Sequence, residues 1–260
     1  MATRADHRSP SLISAPQIAV LASAALQLLT PLLPQLGVGQ PIGEQSDAVR
    51  TLITPAGWAF SIWGALYTGA TLFAVYQALP AQRGNALLAR VRWPAAGAFL
   101  GNALWAAYTQ VFGLSAISAA IIAATLLCLL TIFRRLPGGA GRLTSGERWL
   151  VYLPLSGLTA WLTAATIVNI AASLRFHGVE AGESAPIVAA AVIVVGGVIA
   201  ALALTRSGGN LPYAAVFLWA LAAIYAQGGQ AAGVVAGATA IAAVLVVVGA
   251  IFGGRRRVAR

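Results

Sequence analysis

The chain contains no lysine and little charge of any kind: 8% of its 260 residues are charged. A soluble domain carries about a quarter, so that class is excluded. Without lysine there is neither a retinal-type Schiff base nor a phosphate loop ending in Gly-Lys. The one cysteine, Cys128, falls in an apolar run and reads as a small packing residue, so there is no disulfide framework. His7 and His177, in a tail and a loop, are too few for a metal centre or a pair of haem axial ligands, and read as solvated loop residues. No Asp, Glu, Arg or His lies well inside an apolar run; the ionisable residues sit in loops, tails or at run ends. Proton pumps and ion-coupled transporters keep such groups at membrane depth, and hydrolytic sites need them too. No metal, cofactor or catalytic residue is therefore expected, and an enzymatic role is the least supported.

What is present is apolar length. Hydrophobic residues make up 59% of the chain, and a membrane-crossing helix needs roughly 20 in a row. Eight runs qualify: 14–37, 55–79, 93–113, 114–133, 149–173, 186–205, 211–227 and 231–253. The first reads as a span rather than a signal peptide, being long, broken by Pro31 and Pro34, and without a clear cleavage site. The net charge of +10 tests this division, because arginine concentrates in alternate loops on the cytoplasmic side. With eight spans, one side receives Arg4, Arg8, Arg83, Arg90, Arg92, Arg134, Arg135, Arg142, Arg148, Arg206 and the Arg255–Arg260 tail, and the other only Arg50 and Arg175. The expectation is an all-α polytopic helical bundle of about eight transmembrane helices in a bacterial inner membrane, both termini cytoplasmic. Its basic charge sets topology and its partner is the lipid bilayer, not nucleic acid.

Chemistry gathers in three places. Thr54 to Tyr67 reads as a helix opened by Pro55, whose missing N–H costs nothing in a first turn. Phe60, Trp63 and Tyr67 then share a face, with Trp58 flanking it. On the third span Asn102 and Trp105 share a face, and on the fifth Trp161, Ala165 and Asn169 do so with Thr166 beside them. One reading is an aromatic belt at the lipid boundary, with both asparagines bonding neighbouring helices at about 0.6 kcal/mol each. The other is the wall of a pocket for a flat apolar ligand, Ala165 leaving room beside Trp161 for a ring. Residues 38–54 form the longest linker and lead into this stretch as a candidate lid, while Gly233 and Gly237 read as a helix-packing notch.

These three motifs together resemble the translocator protein family, the tryptophan-rich sensory proteins (TspO/MBR). Its second helix opens Pro-Pro-x-Trp-x-Phe and continues Trp-x-x-Leu-Tyr, to which Pro55, Trp58, Phe60, Trp63, Leu66 and Tyr67 are similar. Asn102 and Trp105 resemble its third-helix Asn-x-x-Trp, and Trp161, Ala165, Thr166 and Asn169 its fifth-helix motif. There are departures: Ala56 replaces the second proline, Phe60 to Trp63 is one residue shorter than usual, and Pro154 lies further upstream. The shorter interval turns Trp63 by about 100° on an α-helix. The resemblance implies a five-helix membrane region over 1–175, with 176–260 adding three helices and a basic tail. It also implies a hydrophobic ligand, porphyrin or sterol-like, bound by Trp58, Phe60, Trp63, Tyr67, Asn102, Trp105, Trp161, Ala165 and Asn169, often in a homodimer, for a sensory or transport role. A tetrapyrrole would be held mostly by stacking, with tyrosine the nearest available axial ligand. Two other readings stand beside this one: a small permease carrying a neutral solute down its own gradient, and a structural or assembly subunit of a membrane complex.

Overall fold

The computed structural model describes residues 13–138 and 143–258. Arg4, His7, Arg8, Arg142, Arg260 and the Gly139–Gly141 part of the glycine-rich linker lie outside them. The long helices are α1 (Ala15–Leu29), α3 (Ile62–Ala78), α4 (Ala86–Phe112), α5 (Ala116–Arg135), α7 (Leu153–Phe176), α8 (Ala185–Arg206), α9 (Leu211–Ile224) and α10 (Gly233–Val258), with short helices α2 (Ile42–Ala48) and α6 (Ser145–Glu147) between them. Among the described residues there is no strand. Pro31 and Pro34 lack N–H donors, and the end of the first span accordingly tightens into a 3-10 helix over Thr30–Leu36. Ahead of Pro154 the helix widens into a π turn over Arg148–Tyr152.

Seven of the spans are long and apolar enough to cross a membrane; α4 is not among them. At 27 residues it is about 40 Å long, and it runs between α1 and α5 in the bundle, so we count it as the eighth. Its polarity has a use inside. Arg92, Asn102, Thr109 and Gln110 are all buried against protein rather than lipid. The expected boundary at 93 is corrected, because Asn85 caps the helix by accepting the Leu88 N–H at 3.0 Å. Pro94 falls inside α4 and cannot donate to the Arg90 carbonyl one turn back; the Arg135 guanidinium donates to it instead. Arg92, expected at a span end, is only 4% exposed. Its Nε donates to Gln77 Oε1 at 3.0 Å and its Nη2 to the carbonyls of Gln77 and Gln82.

Five helices close a ring in the order α3–α1–α4–α5–α7 and back to α3. The remaining three form an annex, in which α8 and α10 pack along their length and α9 joins them to α7. α7 is therefore the shared wall: 78% of its most apolar stretch is buried, against 28–44% in the other apolar spans. Small residues set the close approaches, as expected where lipid supplies no hydrophobic drive between helices. In the ring, Gly101 of α4 lies under Thr125 of α5, and Cys128 packs on Gly97. In the annex, a Cβ on Gly197 would meet Ala242 Cβ at 2.7 Å, and one on Gly249 would meet Ala201 Cα at 2.7 Å. The packing notch expected at Gly233 and Gly237 is corrected: nothing lies within 4 Å of a Cβ built at either. The closest approaches of α10 to α8 lie further along it, at Ala242, Gly249 and Gly253.

Candidate site: an aromatic cavity inside the ring

Trp63 is the centre of the site. Its indole stacks on Trp105 at 6.1 Å, tilts against Tyr67 at 5.2 Å and meets Trp161 edge-on at 6.0 Å. Phe60 also meets Trp161 edge-on, at 6.4 Å. Three helices separated by long stretches of sequence thus meet in one aromatic cluster, in the offset and edge-to-face arrangements that ring quadrupoles favour. The short Phe60–Trp63 interval is accommodated because Gly57–Ser61 is a 3-10 turn and α3 starts only at Ile62. At three residues per turn, positions three apart come nearly into line, and both rings reach Trp161.

The same turn displaces Trp58. Expected in the pocket wall, it is 48% exposed and stands edge-on to Trp219 of α9 at 4.9 Å, outside the cavity. The Trp219 indole N–H donates to the Ala59 carbonyl at 3.2 Å, and the Ala56 N–H to the Ala223 carbonyl at 3.0 Å. The annex therefore grips the turn that carries Phe60.

Beside the cluster lies a cavity of about 50 Å³. Phe60, Trp63, Trp105, Trp161, Ala165 and Asn169, all expected from sequence, line it. Tyr67 and Asn102 do not. They stand behind Trp63, where Asn102 Nδ2 lies 3.5 Å from the Tyr67 hydroxyl and 3.4 Å from Gln27 Oε1. Asn169 also ties helices together, accepting the Ser118 hydroxyl of α5 at 3.0 Å. The linker ahead of α3 closes one end: Ile42 and Ser46 of α2 line the cavity. This segment is anchored by the Gln40 N–H to the Gln110 carbonyl at 2.8 Å. Gly39 (φ +74°) is required there, since a Cβ would come within 2.3 Å of that oxygen. His177 is exposed as expected, and its Nε2 accepts the Ala116 N–H at the start of α5.

The electrostatic peculiarity of the site is what it leaves unmade. Among the described residues, the indole N–H groups of Trp63, Trp105 and Trp161 are buried without hydrogen-bond partners, as are Gln27 Nε2, Asn102 Oδ1 and Thr109 Oγ1. Each such group costs about 1–3 kcal/mol, so native interiors hold few of them. Here they occur together on the ring's inner face. Turning both the Gln27 and the Asn102 amide over keeps their mutual hydrogen bond and again leaves one donor and one acceptor over.

Sequence reasoning missed Gln27, Ile42, Ser46, Ala220 and Ile224. Gln27, fully buried on α1, was detectable as an amide inside an apolar span. Ala220 and Ile224, which bring α9 into the cavity wall, are apolar residues on an apolar helix and give no such sign.

A closed ring of spanning helices around an aromatic, largely apolar cavity defines an integral membrane protein of the translocator type. The model of the family described as TSPO-like protein matches residues 15–252, and the chain belongs to that family. The match runs on through α8, α9 and most of α10. No curated protein and no solved structure gives a significant match.

Proposed function

We propose that the ring binds a flat, mostly apolar ligand bearing several hydrogen-bond acceptors, of the tetrapyrrole class, in a sensory or transport role. The observation that carries this is the set of three tryptophans lining one cavity whose indole N–H groups are buried and unpartnered. A ligand that supplies acceptors to them recovers the cost of leaving them unmade and stacks on the same rings. A sterol, with a single hydroxyl, would satisfy fewer of these groups, so the count of free donors favours the porphyrin side of the expectation. The cavity's 50 Å³ holds at most a few water molecules. A macrocycle therefore enters only if the 38–54 lid or α9 moves aside, and the free state is the closed one. The arginine distribution supports an inner-membrane placement with both termini cytoplasmic, and no residue is assigned a catalytic role.

The test is tryptophan fluorescence of the detergent-purified protein titrated with protoporphyrin, beside a Trp161→Ala/Asn169→Ala variant. Saturable quenching that the variant loses is the expected result. Equal, non-saturating quenching in both would make the tryptophans packing residues and turn the search to the neutral-solute permease.

A further inference from the structure

A larger space lies outside the aromatic cavity, at the low-arginine end of the molecule. It is a groove of about 620 Å³ between the Arg50–Ile53 segment, the end of α7, the start of α8 and the π turn after α9. A gap of only about 20 Å³ along α7, α8 and α9 lies between it and the aromatic cavity, with which it shares no lining residue. It is thus a separate compartment. Both arginines of this end, Arg50 and Arg175, line it, and so does Glu180. Each arginine has one arm taken, by Asp47 and Glu180 respectively. Arg50 Nη1, however, is buried and has no partner among the described residues. The rest of the wall is aliphatic, including Ile53, Leu174, Val188 and Val192.

We propose that this groove is a second binding site, for an amphiphile with an anionic head and an acyl tail. The head accepts from the free arm of Arg50 and sits between the two guanidiniums; the tail lies along Ile53, Val188 and Val192. Two sources share that chemistry, a free fatty acid and an anionic phospholipid of the surrounding bilayer. A neutral long-chain molecule would leave Arg50 Nη1 as it is, and a free inorganic anion would leave the aliphatic wall empty.

The test uses the full chain in neutral detergent. Thermal stability is followed during titration with palmitate, with hexadecanol as the uncharged analogue, and native mass spectrometry counts retained phosphatidylglycerol against phosphatidylcholine. Expected is a saturable rise in Tm with palmitate, retention of phosphatidylglycerol, or both, with at least tenfold weaker binding in Arg50→Gln/Arg175→Gln. Palmitate alone identifies the free acid as the source, and phosphatidylglycerol alone the bilayer lipid. Should the double variant fold poorly, Val192→Trp fills the tail region without touching either arginine and must weaken binding as well. Equal effects of hexadecanol and palmitate, no preference for anionic lipid, or binding unchanged in the variants would overturn the proposal. Protoporphyrin quenching, read in parallel, is expected to survive these variants, which separates failure here from failure of the aromatic site.

Discussion

The five-helix ring and the three-helix annex are built from nearly the same apolar alphabet, yet they pack in opposite ways. α8 and α10 meet through glycine and alanine, so closely that Gly197 and Gly249 have no room for a methyl group. The ring's inner face is instead made of large rings and amides, and it retains a cavity and a group of unpartnered polar atoms. Tight small-residue packing provides stability where lipid gives no hydrophobic drive. Incomplete polar satisfaction works against stability, and its concentration on one face indicates a surface shaped for something other than its own folding. On the function proposed above, recognition of the planar ligand falls to the ring's cavity and the close α8–α10 contact serves as scaffold, with α7 and α9 as the common boundary.

The largest expected effect tests that division from the scaffold side. Gly249→Leu drives a side chain into the Ala201 backbone and should cost about 3 kcal/mol, the upper part of the overpacking range. Thermal unfolding in detergent reads that loss. Protoporphyrin quenching below the new Tm should be unchanged, because no residue of α10 lines the cavity. Loss of both together would make ring and annex a single cooperative unit.

On the recognition side, Trp161→Phe retains a ring against Trp63 and Phe60 but removes one free indole N–H. Protoporphyrin affinity should fall about tenfold, equivalent to 1.4 kcal/mol. An unchanged affinity would mean that stacking alone holds the ligand. Thr109→Val is a cleaner test of the premise: the shape is kept, and the buried, unpartnered Oγ1 disappears. Stability should rise by about 1 kcal/mol. The same change at Thr125, whose hydroxyl already bonds the Ile121 carbonyl at 2.8 Å, should not raise it.

How much of this was legible in the sequence follows from what each signal measures. Apolar length reports exposure to lipid and arginine alternation the side on which a loop lies, and together they located all eight long helices. They misjudged the start of α4 because Arg92 is a charged residue on a face that packs against protein; it finds its partners in Gln77 and in backbone carbonyls. The short α2 is too brief and mixed for periodicity to register. Aromatic spacing on single helices brought out Phe60, Trp63, Trp105 and Trp161, since helical neighbours stay neighbours after folding. It misplaced Trp58 because a 3-10 turn changes the angular step. Ala220 and Ile224 join the cavity only through the docking of α9, a tertiary choice that their own side chains do not encode.

The smallest effect is the most discriminating, because one substitution on one helix should change sign. Gly237 and Gly249 lie on α10, and motif reading treats glycines in such a helix alike. Around Gly237 a Cβ meets nothing within 4 Å, whereas at Gly249 it meets the α8 backbone. Replacing glycine by alanine in an exposed helix interior recovers about 0.5–1 kcal/mol of backbone entropy, so Gly237→Ala should raise Tm slightly. Gly249→Ala should lower it, since the neighbouring Ala201 backbone cannot yield as a flexible side chain would. The pair is read by thermal unfolding of the two variants side by side in the same detergent. If Gly237→Ala lowers Tm instead, and does so more at high protein concentration, that open face of α10 is covered by a second copy of the chain. The annex would then be an interface between copies as well as a scaffold.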